Sequence, residues 1–161
     1  MSKTRTHEAM LDHEPKEMPM ISLTFHLPEA LPYIVHLRKT ARCLRESLGI
    51  SIQDTDDLEL VIGELATNAV RHARGGDYSV TLEFLTHEAS VTVVDSGAGW
   101  RTDTIPLPGS SRPDELSDDM AERIGGFGLP LVHSVSDHVE IHPNAISGTT
   151  VRVRKVLQSR N

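Results

Sequence analysis

Apolar residues recur along the chain with two different periods, and each period predicts a different element. Residues 21–27 alternate apolar and polar side chains, which is typical of a half-buried strand. Over residues 29–48 the apolar side chains recur at steps of three and four, which predicts a helix with one buried face that ends at Gly49. A second helix is predicted to begin at Ser51, whose Ser-x-x-Asp pattern is close to a capping box, and to end near Gly75.

The second half of the chain predicts two hairpins, a long connection and a short helix. The hairpin strands are assigned to residues 78–85 with 89–94 and to residues 137–142 with 149–157. The stretch from 96 to 126 is rich in Gly, Pro, Ser and Asp and is too long for an ordinary connection, so we expect a functional lid. A short helix over residues 128–136 follows this lid.

The order of these elements predicts the fold class. One strand, two helices, two strands, a lid, a helix and two strands suit an α+β two-layer sandwich, in which helices cover one face of a mixed, largely antiparallel sheet. A doubly wound parallel sheet would require strands and helices to alternate, which they do not. Residues 1–19 lack a sustained apolar period and are expected to be a disordered tail, which leaves residues 20–157 as one domain.

Composition narrows the classes of partner. The formal net charge of -7 argues against direct binding of nucleic acid, because such proteins concentrate positive charge. The cluster of Arg152, Arg154 and Lys155 is interpreted instead as the solvated face of the last strand. No apolar run is long enough to span a membrane and the N-terminus lacks a signal region, so we expect no membrane contact and a cytoplasmic location. Cys43, the only cysteine, is expected to pack in the core.

The first candidate for chemistry is a polar stripe on the predicted second helix. Glu64, Asn68 and His72 follow one another at steps of four and therefore share one face. Because magnesium prefers oxygen ligands, we expect Asn68 to bind a magnesium ion shared with nucleotide phosphates. Glu64, one turn earlier, would accept a proton from an attacking hydroxyl or water. A solvated helix face is the alternative explanation of the same spacing.

The second candidate is Asp95-Ser96-Gly97-Ala98-Gly99, which directly follows an apolar strand. A carboxylate at a strand end can accept a hydrogen bond from the exocyclic amine of adenine, and Gly97 and Gly99 would let the backbone approach the ring. Guanine presents a carbonyl at that position, so Asp95 would favour ATP over GTP. An ordinary turn is the alternative.

The third candidate is Gly125-Gly126-Phe127-Gly128, which runs into the predicted third helix. A glycine-rich backbone at a helix N-terminus presents unpaired N–H groups to anions. The stretch matches neither the Walker nor the dinucleotide-binding pattern. Arg123 stands just ahead and could reach a terminal phosphate, although an exposed lid arginine is an equal explanation.

In this order the three motifs resemble the N box and the two glycine boxes of the GHKL ATPases, the family of gyrase, histidine kinases and anti-sigma-factor kinases. Gly148-Thr149-Thr150 is similar to the family's closing Gly-Thr element, whose hydroxyl, assigned to Thr150, lies near the adenine pocket. The resemblance covers residues 20–156. It implies the Bergerat ATP-binding fold, with ATP and magnesium as the bound groups.

The resemblance also implies a role for each motif residue. Glu64 would be the general base and Asn68 the magnesium ligand. The residues implied in nucleotide binding are Asn68, His72, Asp95, Gly97, Gly99, Arg123, Gly126, Gly128, Leu129 and Thr150. The chain departs from the family in one place: its second glycine box has an extra glycine, so Arg123 lies one residue farther from Gly126 than the family's phosphate arginine.

Within the superfamily the likeness is to the anti-sigma-factor serine/threonine kinases, small domains that bind a sigma factor and phosphorylate an antagonist protein. Both proteins are therefore the implied partners, and members of the family often pair through their first strand, which adds a homodimer to the expectations. The first alternative is a module that binds ATP and partners but transfers nothing. The others are the catalytic domain of a sensor histidine kinase, which would need a dimerisation helix before residue 20, and a domain of this fold without nucleotide.

Overall fold

The computed structural model describes residues 20–72, 76–97 and 128–158, and the structural statements below concern this part of the chain. Its elements are β1 (Ile21–Leu27), α1 (Pro32–Leu48), α2 (Ile52–His72), β2 (Tyr78–Phe84), β3 (Glu88–Asp95), α3 (Gly128–Val135), β4 (His138–Pro143) and β5 (Thr149–Val156). The predicted tail and the predicted lid lie outside the described residues.

The five described strands form one sheet in the order β1-β2-β3-β5-β4. All four of these pairings are antiparallel, so the described part of the sheet has none of the parallel pairing that a mixed sheet would contain. The α+β class is confirmed. Among the described helices, none combines the length with the apolar character that crossing a membrane would require.

Helix α2 is the centre of the helical layer, since it packs against α1, α3 and the middle of the sheet. Side chains alternate along the strands, so one set faces this layer and the other faces outward. The buried set on the central strands and on α2 includes Tyr78, Val80, Leu82, Phe84, Val91, Val93, Val151, Val153, Val61, Ile62 and Leu65. The core therefore lies between the sheet and α2, and the outer face is polar.

The start of α2 confirms the predicted cap. The hydroxyl of Ser51 accepts the backbone N–H of Asp54 at 3.0 Å and donates to the carboxylate of the same residue at 2.8 Å. One of the N–H groups that a helix start leaves unpaired is satisfied in this way. Helix α1 begins at Pro32, three residues later than the periodicity suggested, because a proline suits the first turn of a helix.

Lys155 lies on the helix-facing side of β5, so its assignment to a solvated face is wrong. Its side chain is on the same face as Val151 and Val153, and it is 9% exposed. The ammonium group lies 2.9 Å from the carboxylate of Asp57 and 3.5 Å from that of Asp54. It also donates to the carbonyl of Val135 at 3.1 Å. One charge thus ties the end of β5 to the start of α2 and the end of α3.

Cys43 is exposed on α1, so the prediction that it packs in the core is also wrong. The buried positions of this helix are Ile34, Leu37 and Ala41. Cys43 follows Ala41 by two residues, which at 3.6 residues a turn places it on the far side of the helix. Its apolar neighbours in sequence are therefore not its neighbours in space.

Candidate functional site

Helix α2 carries Glu64 to the first residue of α3. Gly128 lies so close to this side chain that a Cβ at position 128 would overlap the carboxylate oxygen Oε2 and come within 3.2 Å of Cδ. A side chain at position 128 would therefore require the Glu64 carboxylate to move. The structure therefore brings together the first and third sequence motifs, with a carboxylate against a helix N-terminus.

Asn68 continues the polar stripe one turn beyond Glu64. It is 5% exposed, whereas Glu64 is partly exposed. Within residues 20–72, 76–97 and 128–158, no group of three or more His, Cys, Asp or Glu side chains is arranged to hold a metal ion. An ion at this point would rely on one or two protein oxygens, supplemented by phosphate and water. His72 is the last residue of α2, and its side chain lies outside the described part.

Asp95 is the last residue of β3, as the sequence predicted for a residue delivered to a strand end. It is 6% exposed and shares the helix-facing side of the strand with Val91 and Val93. Its Oδ1 accepts the backbone N–H of Gly97 at 2.9 Å, a short loop of the kind that aspartate forms readily. This bond orients the carboxylate before any ligand arrives.

The turn between β4 and β5, residues 144–148, packs directly behind this loop. Gly148 has φ +87°, and a Cβ there would overlap the carbonyl oxygen of Asp95 and lie 2.8 Å from Cα of Ser96. The side chain of Asn144 donates to the carbonyl of Asp95 at 3.0 Å. The hydroxyl of Ser147 donates to the carbonyl of Ser96 at 3.2 Å. The loop that holds the carboxylate is thus supported from a different hairpin.

Replacing Gly148 by alanine is expected to lower the free energy of unfolding by about 2 kcal/mol or more, because a left-handed conformation and an overlap with backbone act together. Gly49→Ala is the matched control: Gly49 also has a positive φ, of 66°, but a Cβ there would meet nothing within 4 Å. Urea denaturation of the two variants measures the difference. Equal losses would contradict the close contact between Gly148 and Asp95.

In the Gly-Thr element, the strand pairing favours a different threonine from the one that the sequence predicted. Thr150 lies on the outer face of β5, opposite Val94 and His142, and its hydroxyl donates to Oδ1 of Asn144 at 2.7 Å. Thr149 is fully buried and shares the helix-facing side with Asp95. The geometry therefore moves the candidate hydroxyl from Thr150 to Thr149, one position earlier than the sequence analysis assigned it.

Sequence reasoning also missed Tyr78. This residue is 2% exposed, and in the sheet its Cα lies opposite that of Asp95. Its buried hydroxyl has no hydrogen-bond partner among the described residues, and burial raises the pKa of its phenol. An aromatic residue at the start of β2 was visible in the sequence, but its pairing with Asp95 depends on the register between two strands.

Tyr78→Phe is expected to raise the free energy of unfolding by about 1 kcal/mol, because the ring packing stays and an unpaired buried hydroxyl is removed. Tyr33→Phe serves as the control, since Tyr33 lies on α1, is 43% exposed and should give no change. Thermal denaturation of the free protein measures both. A clear loss of stability in the Tyr78 variant would mean that the hydroxyl has a water partner.

Leu129 follows Gly128 in α3 and is 6% exposed, which places it in the core. Three other residues of the predicted site, Gly99, Arg123 and Gly126, lie outside the described residues. The described geometry thus gathers Glu64 with Gly128, and separately Asp95 with Gly97 and Gly148. Their roles toward a ligand stay predictions.

The chain is similar to known proteins over most of its length. The sequence model of a family described as "Histidine kinase-like ATPase domain" matches residues 27–155. "Serine-protein kinase RsbW" of Bacillus pumilus is 30% identical over 142 residues, covering 81% of this chain and 83% of that protein. The protein of the same name from Listeria monocytogenes is 28% identical over 141 residues, covering 86% and 88%.

Among solved structures, a crystal structure of the RsbU and RsbW domains of a Mycobacterium tuberculosis protein is similar to this chain, with a TM-score of 0.57 and 18% identity. The match covers 88% of this chain and 34% of that longer chain. At this identity the likeness concerns the fold alone.

Proposed function

The chain belongs to the histidine kinase-like ATPase domain family, and on this premise we propose that it is a protein kinase that transfers the terminal phosphoryl group of ATP to a serine or threonine of a partner protein. The relatives named as serine-protein kinases, which match over most of their length, support this reaction. The observation that supports it most is the closeness of the Glu64 carboxylate to Gly128, the first residue of α3.

At the adenine end, the proposal assigns recognition to Asp95. Its Oδ1 is already bonded to Gly97, so Oδ2 is the oxygen that would accept the exocyclic amine of adenine. Thr149 adds a hydroxyl on the same face of the sheet. Guanine would bring a carbonyl to a buried carboxylate, which leaves an acceptor unpaired and costs about 1–3 kcal/mol.

At the phosphate end, the N-terminus of α3 offers N–H groups and a positive dipole to an anion. Gly128 and Leu129 begin this helix. We extend the phosphate site to Gly126 and Arg123, and the adenine site to Gly99, on the family resemblance. His72 completes the proposed nucleotide-binding set at the end of α2.

The site fits magnesium, because the amide of Asn68, one helical turn beyond Glu64, offers an oxygen ligand of the kind that this ion prefers. Magnesium usually takes one or two protein oxygens and completes its shell with phosphate and water, which agrees with the small number of ligands here. When bound, the ion would neutralise charge on the phosphates. Asn68 is the residue that we propose to hold it.

Glu64 would act on the acceptor hydroxyl. As the hydroxyl oxygen forms its bond to the terminal phosphorus and the bond from that phosphorus to the ADP oxygen breaks, the proton of the hydroxyl passes to the Glu64 carboxylate. The carboxylate is partly exposed and therefore open to a partner protein.

We further propose the partners that the resemblance implies: a sigma factor that the protein holds, and an antagonist protein that it phosphorylates. A cytoplasmic location, a homodimer paired through β1 and a single domain over residues 20–157 belong to the same proposal. In such a partner-switching system, phosphorylation would control release of the sigma factor. The free antagonist would release it from this protein, and the phosphorylated antagonist would not.

The test is transfer of label from terminally labelled ATP to candidate antagonist proteins from the same cell, with and without a magnesium chelator. Label on an antagonist serine or threonine, lost with the chelator, is the expected result. ATP binding without any transfer would instead identify a nucleotide-gated binding module. A protein that bound no ATP would contradict the proposed function, and only the assignment of the fold would remain.

A further inference from the structure

Asn144 joins two parts of the molecule through three of its polar groups. Its Nδ2 donates to the carbonyl of Asp95 at 3.0 Å, and its Oδ1 accepts the hydroxyl of Thr150 at 2.7 Å. Its backbone N–H donates to the carbonyl of Gly148 at 3.0 Å. Because the hydroxyl of Thr150 occupies the amide oxygen, the amide nitrogen is the group that faces Asp95.

These contacts occur where the described β3–β5 pairing ends. The final pair in this register is Val94 with Thr150, so at the next residue the side chain of Asn144 supplies a donor to the carbonyl of Asp95. The absence of a Cβ at Gly148 leaves the space in which the turn approaches this carbonyl. Asn144 therefore supports β3 for one residue beyond its pairing with β5. That residue is Asp95, whose carboxylate we assign to adenine.

The carboxylate itself has one further restraint. Gly97 donates to Oδ1 of Asp95, and Ser147 holds the next carbonyl, that of Ser96. With both the backbone and one carboxylate oxygen restrained, the other oxygen has a fixed direction. A fixed acceptor distinguishes an amine from a carbonyl better than a mobile one, because a mobile carboxylate could turn away from the wrong base.

We propose that Asn144, oriented by Thr150, is a positioning residue that sets the preference of the site for adenine over guanine. This inference rests on the proposed function only as far as Asp95 binds a nucleotide base; it does not require phosphotransfer. It also gives Thr150 a role other than the base contact first assigned to it, since its hydroxyl acts on Asn144 from the outer face of the sheet.

The experiment measures dissociation constants of the full chain for magnesium-ATP and magnesium-GTP, together with the melting temperature of the free protein. Asn144→Ala is expected to weaken ATP binding by about 5- to 30-fold, the equivalent of one buried hydrogen bond, and GTP binding by less than about twofold. Thr150→Val, which removes the hydroxyl, should likewise lower the preference for ATP over GTP. Thr150→Ser, which keeps a hydroxyl, should have the wild-type ratio of affinities.

Ile146→Ser is the matched control, because Ile146 lies in the same turn and is 99% exposed. Its nucleotide affinities should equal those of the wild type.

Equal weakening of both nucleotides by Asn144→Ala, or a lower melting temperature with an unchanged ATP:GTP ratio, would show a merely structural role and overturn the inference. If Asn144→Ala does not fold, the ATP:GTP affinity ratios of Thr150→Val and Thr150→Ser provide the same test. A wild type that binds no ATP would instead overturn the proposed function, and the inference with it.

Discussion

Glu64→Gln is expected to slow phosphotransfer by roughly 10²- to 10⁴-fold while leaving the affinity for ATP nearly unchanged. Glutamine has the size of glutamate and can keep its place against Gly128, where a Cβ would already overlap the side chain. It cannot take up the proton of the acceptor hydroxyl. Initial rates of label transfer, with the dissociation constant of ATP measured beside them, separate the loss of a base from the loss of binding.

The control for this variant lies on the same helix. Glu59→Gln removes a carboxylate whose oxygens lie 2.6 and 2.8 Å from the guanidinium of Arg42 on α1. Because Arg42 is largely exposed, this ion pair contributes little to stability, and both the rate and the affinity should stay at wild-type values. A Glu64→Gln protein that transferred phosphate as fast as the Glu59 variant would remove Glu64 from the reaction.

Lys155→Met is expected to lower the free energy of unfolding by about 3–5 kcal/mol, because it leaves two carboxylates in a site from which their positive partner has gone. Asp54 is fully buried and Asp57 is mostly buried, while Lys155 contacts both. Methionine retains the length and apolar stem of lysine, so the loss reports the charge rather than a cavity. Urea denaturation at pH 7 measures it.

Arg154→Met provides the comparison one residue away. Arg154 lies on the outer face of the sheet, and its guanidinium is 4.0 Å from a carboxylate oxygen of Glu88 and 3.9 Å from one of Glu140. Exposed pairs of this kind contribute at most about 1 kcal/mol. If the two variants lost equal stability, the ion pairs of Lys155 would not have the strength that its burial implies.

Above neutral pH, the effect of Lys155 should change only in strongly alkaline solution. Burial alone would lower the pKa of its ammonium group, but the hydrogen bond and charge of Asp57, followed by Asp54, raise it above the ordinary value of 10.5. A raised pKa in the folded state means that the stabilisation is complete below the unfolded pKa and is lost as the pH rises through the folded one. Wild type and Lys155→Met should therefore differ by a constant amount from pH 7 to about pH 10 and converge above it.

Much of the fold was predictable because it follows from local periodicity. All eight described elements were expected within a few residues of their observed bounds, and the capping box at Ser51 was visible as a sequence pattern. The place of Asp95 at a strand end was also predictable, since a turn sequence follows an apolar run. The order of the strands in the sheet was not, because it depends on contacts distant in the chain.

The misassignments of Thr150 and Lys155 share a cause, which is that a shift of one residue in a strand changes the face of the sheet. Thr150 and Thr149 are adjacent and chemically alike, and only the observed pairing shows which one faces the helices. Lys155 likewise follows two outward arginines yet points inward. Asn144 carried no signal at all, since its importance comes from a carbonyl 49 positions earlier in the chain.

The exposure of Cys43 has a practical consequence for work on assembly. It is the only sulfhydryl of the chain, and it stands on the surface of α1, a helix that supplies none of the proposed site residues. A maleimide dye would therefore attach at one known point and could report the approach of a partner without any substitution. The same thiol would link two copies covalently in air, so the number of subunits in solution has to be determined in the presence of a reductant.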